Sequence, residues 1–219
     1  MSLMFEHGEA YEPPPEVVIN SDTFEWADKY DAEPVPNKAQ HAPKLREIEA
    51  KGLGFHYYVK TFIYLVWKRH GYPITITSGV RNQTEQDGLW KDYQACLAAK
   101  KTNCTPAAKS VSHHGPGLAI DINFNTNGRT FLGHTGDIKT PRRMGISIEE
   151  ANNLWRASGI VDTAEEVGLK WGGDFNDPIH FQWTPGGWDE EDVKNQTNNP
   201  SKPPMSTGGG TGTTGQDVD

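Results

Sequence analysis

From Leu118 to Phe124 every second residue is large and apolar, Leu118, Ile120, Ile122 and Phe124, while Ala119, Asp121 and Asn123 fall between them. Successive side chains of a strand point to opposite faces, so this alternation predicts a strand with one face in a core and the other turned away from it. Asp121 therefore leaves the core, and the small Ala119 beside it leaves space above that face. The Gly-Pro-Gly turn at Gly115 to Gly117 opens the strand and brings His114 toward the same side. A second short segment, Asp177-Pro-Ile-His-Phe-Gln-Trp183, reads as extended because proline biases the residue before it away from helical geometry. Ile179 and Phe181 then point inward, with His180 and Gln182 outward. If the two strands are neighbours, His180, Asp121 and His114 converge.

Two imidazoles and a carboxylate are a donor set suited to zinc, leaving a coordination position open. Asp177, three residues before His180, sits at the strand's entrance, where it can hold a water without ligating the metal. His113 competes with His114 as a donor, but the spacing to Gly117 and Asp121 favours His114.

These blocks resemble the zinc D,D-peptidase family, which includes D-alanyl-D-alanine dipeptidases and carboxypeptidases and phage endolysins that cut between L-alanine and D-glutamate. The resemblance rests on Ser112-x-His114 with Gly117-x-Ala119-x-Asp121, on Trp171-Gly-Gly-Asp174 with Asp177-x-x-His180-Phe181, and on Ser78-Gly-Val-Arg81 with Gln86. It implies that His114, Asp121 and His180 bind Zn2+, that Asp177 is the general base and that Arg81 steadies the oxyanion, a task suited to a permanently charged planar cation. Arg81 could instead pair with Glu85 or Asp87 on the surface. Ser112, Gln86 and Trp171 are placed as substrate-contacting residues, although Trp171, Trp183 and Trp188 read most simply as core or cleft-wall aromatics. Asp174 either orients a metal ligand or caps a turn.

The fold implied is α+β, of the Hedgehog and D,D-peptidase type, with a small mainly antiparallel sheet and helices packed on one side. Hydrolysis of peptidoglycan stem peptides is the expected activity, most specifically at the L-alanyl-D-glutamate bond. D-alanyl-D-alanine carboxypeptidase activity, a non-catalytic wall-binding module and a virion structural component are the alternatives.

Residues 1–40, with Pro13-Pro14-Pro15 and scattered acids, read as an extended arm; 41–193 form the peptidase domain, and 194–219 a Gly, Thr and Pro-rich tail unable to bury an apolar face. Within the domain, a helical pattern from Leu45 to His70 is interrupted near Gly52 and Gly54, Ile74 to Ser78 is a strand, and Gln83 to about Ala99 is a helix with Arg81 at its entrance. Ser147 and Glu150 begin a helix that runs toward Gly168 and breaks around Gly159. Cys96 and Cys104 either close a short disulfide or remain thiols. A net charge of −8 argues against nucleic acid as partner. The first residues lack the pattern of a secretory signal, and no stretch reads as a membrane span. Together with the family resemblance, this suggests a phage-like protein that reaches the wall from the host cytoplasm by another route, or is carried in a virion with other virion proteins as partners.

Overall fold

The computed structural model describes residues 17–19, 21–101, 104, 106, 107, 109, 113–186, 188–198 and 205–207. Its centre is helix α3 (Phe55–His70), whose buried residues include Phe55, Val59, Phe62, Ile63 and Val66. A helix apolar around most of its circumference must be covered on several sides. Helix α1 (Ser21–Ala32) packs along it, α2 (Lys38–Glu49) lies against another flank, and the sheet closes the rest.

The sheet has five strands, β2 (Ile74–Ser78), β3 (Ala119–Asn125), β4 (Asp137–Ile138), β5 (Lys170–Trp171) and β6 (His180–Gln182). Their order is β2-β3-β6-β5, with β4 also paired to β3, and every pairing is antiparallel. Helices α6 (Ile148–Ala157) and α7 (Ile160–Val167) complete the apolar layer. Ile120, Ile122 and Phe124 lie in the core cluster as predicted, while Ala119 and Asp121 on the alternate face are buried as well, so that face is covered and not open to solvent there. Phe181 lies 5.1 Å from Phe62 and Trp155 sits 4.8 Å from Phe124, ring centre to ring centre. The architecture is thus α+β with helices on one side of a small antiparallel sheet.

The other elements are β1 (Val17–Ile19), α4 (Gln83–Ala98), α5 (Pro141–Met144), α8 (Glu190–Asn198) and β7 (Met205–Thr207). Asn82 caps α4, accepting from the Glu85 N–H while the Glu85 carboxylate accepts from the Asn82 N–H. Ser147 accepts from the Glu150 N–H at the start of α6, and Gly159 separates α6 from α7, as the sequence predicts.

Two boundaries differ from expectation. The arm does not extend to residue 40, because α1 buries Thr23, Ala27 and Tyr30. Those positions recur at i, i+4 and i+7, one helical face. His41 gives its Nε2 hydrogen to the Ile74 carbonyl, so the Tyr30 hydroxyl donates to its Nδ1, at 3.0 Å, inside the fold. At the other end α8, which buries Val193 at the expected domain limit, continues past it to the buried Gln196, and β7 pairs in parallel with β1. Cys96 and Cys104 form a disulfide. No helix among the described residues is long and apolar enough to cross a membrane.

Candidate metal centre

Register does most of the assembly. In the β3–β6 ladder Asp121 is directly opposite His180, so their side chains rise from the same face of the sheet. A bulge in β2 between Ile76 and Ser78 shifts the pairing so that Ser78 stands opposite Asp121 on its other side. His114 enters from the turn before β3, where Gly117 takes φ +77°, and a Cβ there would sit 2.8 Å from the Lys51 side chain. Glycine alone meets both demands comfortably.

The His114, Asp121 and His180 donor atoms lie within 4.8 Å of one another, and all three residues are buried. Asp121 Oδ1 is 3.2 Å from His114 Nε2 and 3.1 Å from His180 Nδ1, and the two ring nitrogens are 3.2 Å apart. The far side of each ring tests whether these atoms suit a metal. His114 Nδ1 is 2.6 Å from the Gly79 carbonyl oxygen, which only accepts, so Nδ1 donates and Nε2 of the neutral ring is bare. His180 Nε2 donates to Gln182 Oε1 at 3.0 Å, leaving Nδ1 bare. Two bare nitrogens and a carboxylate oxygen aimed at one point repel unless a cation lies among them, and fixing each ring through its other nitrogen is what metal-binding histidines require. The residues fit a Zn2+ ion.

Charge follows the same geometry. Burial pushes the Asp121 carboxyl upward, but the facing His114 and His180 hold it well below the usual carboxylate range. Burial lowers the His114 pKa, whereas at His180 the Asp121 carboxylate overcomes burial and raises it.

Arg81 reaches neither Glu85 nor Asp87. Its guanidinium donates to Asp121 Oδ2 at 2.7 Å, to Ser78 Oγ at 2.8 Å and to Gln86 Oε1 at 3.0 Å. Gln86 is the one buried polar residue of α4, and it orients Arg81 as well as facing the cavity. Asp177 is half-buried beside the cluster, and its shielded Oδ1 has no hydrogen-bond partner among the described residues. Burial first, then the Asp121 charge, push its carboxyl up to about 7.

Asp177 does not begin a strand. It follows a 3-10 turn at Gly172–Phe175, and the His180 N–H donates to its carbonyl, so the extended segment starts only at His180. Trp171 is not available to a ligand: it is 2% exposed, and its indole N–H donates to the Pro178 carbonyl at 2.9 Å, fixing the loop that carries Asp177. Asp174 pairs with Arg156 at the surface, at 3.3 Å, and touches no metal donor. His113 stands outside the cluster, 3.1 Å from Thr184 Oγ1, and burial lowers its pKa to about 4. Ser112 lies outside the described residues. Sequence reasoning missed the part played by Gln182, although its i+2 spacing from His180 places both on one face.

Among the described residues several cavities border this centre. Two share Arg81 and Asp177: the smaller of the pair, of about 330 Å3, runs past His113, Lys170 and Phe175, and the larger, of about 550 Å3, runs past Tyr93, Ile179 and α5. Another, of about 560 Å3, reaches Arg81 and Asp121 past Lys44 and Ser78.

The D-alanyl-D-alanine carboxypeptidase family model matches residues 106–183, the stretch that supplies all three donors and Asp177. Over that stretch the chain is similar to the D-alanyl-D-alanine carboxypeptidase family. It is also similar to a solved structure, the Serratia marcescens L-Ala D-Glu endopeptidase ChiX, at 19% identity over 70% of this chain and 93% of that one, with a TM-score of 0.38. That likeness is too loose to transfer chemistry. No curated protein matches the chain by sequence.

Proposed function

We propose that this chain is a zinc-dependent peptidoglycan hydrolase that cuts the L-alanyl-D-glutamate bond of stem peptides, in the manner of phage lytic enzymes. The observation that carries the proposal is Asp177, a half-buried residue whose shielded Oδ1 has no hydrogen-bond partner among the described residues, beside a convergent His114, Asp121 and His180. A carboxylate so placed costs stability and is useful as a base. His114 Nε2, Asp121 Oδ1 and His180 Nδ1 would hold the metal. Bound Zn2+ supplies Lewis acidity, polarising a carbonyl oxygen and lowering the pKa of water.

The protein's own groups do the rest. Asp177, with its carboxyl near 7, accepts a proton from the attacking water and returns it to the leaving amine, a task that favours a pKa near working pH. Arg81 keeps the Asp121 carboxylate in place and lines the cavity beside Asp177, where a permanent cation would steady the oxyanion. Cavities that share Asp177 and Arg81 yet run on past different residues, Lys170 and Phe175 in one and Tyr93 and α5 in the other, support an endopeptidase, because they leave room for chain beyond both partners of the scissile bond. Release from the host cytoplasm to the wall, or carriage in a virion with virion proteins as partners, belongs to the same proposal.

Digestion of purified peptidoglycan by the zinc-loaded protein, with fragments identified by mass spectrometry and with chelator as control, tests this reading. New N-terminal D-glutamate on the stems is expected. Release of free D-alanine alone would replace it with the carboxypeptidase, and intact wall would leave a binding module.

A further inference from the structure

The larger of the two cavities that share Arg81 and Asp177 has a feature that the hydrolytic centre does not use. Its outer wall is α5, a single helical turn bearing Arg142 and Arg143. The turn is fixed in place: Thr140 accepts from the Arg143 N–H, Pro141 is buried at its start, and Gly145 closes it at φ +73°. Both guanidiniums are exposed at the cavity, and neither makes an ion pair among the described residues. In a chain with 29 acidic and 21 basic residues, acidic partners are plentiful, and Arg69, Arg81 and Arg156 each have one. Within this cavity Asp121 is already taken by Arg81, leaving Asp92 and Asp177 against two unpaired arginines. Two arginines on one capped turn, lining the same space as Asp177, suit an anionic carboxylate, which a guanidinium can meet with two parallel hydrogen bonds.

We propose that Arg142 and Arg143 form a carboxylate-binding subsite that selects substrates carrying a free carboxylate beside the scissile bond, on the side that leaves through the larger cavity. The subsite rests on the reading of the centre as a stem-peptide hydrolase. In that substrate the carboxylate is the one on the α-carbon whose amine is released, and its amidation removes the charge while keeping the shape. The two arginines are thus specificity residues, and they leave the attack itself to Asp177 and the metal ligands.

The probes are a synthetic stem peptide, L-alanyl-D-isoglutamyl-L-lysine, and the same peptide with that carboxylate amidated. Hydrolysis by the zinc-loaded protein is compared with calorimetric binding of both peptides to the D177N variant. Wild type should prefer the acid over the amide by about tenfold or more in kcat/KM, the scale of one charge-assisted hydrogen bond. In the R142A/R143A variant KM for the acid should rise by about that factor with a smaller change in kcat, and the preference should fall to within about twofold of unity. R142K/R143K should recover part of it, since charge remains and the planar fork is lost. Selective binding of the acid that depends on both arginines, without hydrolysis, would overturn the proposed function and uphold the subsite. Hydrolysis with equal kcat/KM for acid and amide, or a preference that survives R142A/R143A, overturns the subsite and leaves the function standing. Absence of both binding and hydrolysis overturns both.

Discussion

The proposed function divides the work at the centre between holding a metal and moving a proton, the second given to Asp177, and single substitutions can tell them apart. His114→Ala and His180→Ala should lose zinc, whereas Asp177→Asn should retain it and lose about 10²–10⁴-fold in kcat, the range of a general base. Metal content by elemental analysis decides; equal zinc loss in all three variants would make Asp177 a ligand. Its pKa gives a second prediction, for the chelated protein. The native state holds a proton from the ordinary value of 3.8 up to about 7, while the unfolded chain releases it at the lower value. This contribution to stability is therefore complete below the lower value and lost as pH rises through the higher one. The amide of the D177N variant does not titrate, so denaturant unfolding should show the stability of wild type relative to D177N falling between about pH 4 and pH 8. A flat difference would mean that Asp177 is not shielded as described. At this scale the donors were legible because strand alternation assigns faces, which is how Asp121 and His180 were paired across strands. The partners of those donors were less so. Trp171 and Asp174 stand beside the site in sequence, yet packing turns the indole inward and leaves the carboxylate with Arg156.

The loop from Trp171 to His180 shows how an element can be specified by lack of volume. A Cβ at Gly172 would lie 2.5 Å from the Asp177 carbonyl oxygen and 2.8 Å from His180 Cβ, and one at Gly173 would strike the Trp171 ring. Neither glycine needs a left-handed backbone; each is kept small by what lies against it. Gly172→Ala should cost about 1–3 kcal/mol by overpacking, and the backbone must yield at Asp177. Activity should then fall further than the loss of folded protein explains, as measured by kcat on the folded fraction beside the melting temperature. Helix α1 is the opposite case. Its stripe of Thr23, Ala27 and Tyr30 is mostly small or polar and set among acids, so no apolar period announces it; tertiary packing on α3 makes it a helix. Deleting residues 1–36 should lower the melting temperature by on the order of 10 °C, the scale of several buried side chains. An unchanged melting curve would restore the arm.

Across the whole molecule, strands β2 and β3, the break between α2 and α3 and the break between α6 and α7 followed from apolar period and glycine position, since both are local signals, whereas the short β4 and β5 carry too few residues to show a period. The reach of the fold at its two ends did not, because it depends on contacts made with distant elements. The same contrast governs how the molecule comes apart. Helix α4 is 16 residues long, yet it buries only Gln86 and Cys96, and it packs little against any other element. It is held at its first turn by the Asn82 and Glu85 caps and at its last by the Cys96–Cys104 bond. Backbone amides there should exchange with deuterium orders of magnitude faster than those of α3, through openings that leave the core intact. Cutting the covalent tether with Cys96→Ser/Cys104→Ser should speed that exchange again while the main melting transition moves little. Because Gln86 rides on this helix and meets Arg81 at 3.0 Å, an opening that reaches its first turn takes away one of the guanidinium's three anchors, leaving Asp121 and Ser78 to hold it. The breathing of one outlying helix is thus felt at the centre as a looser Arg81.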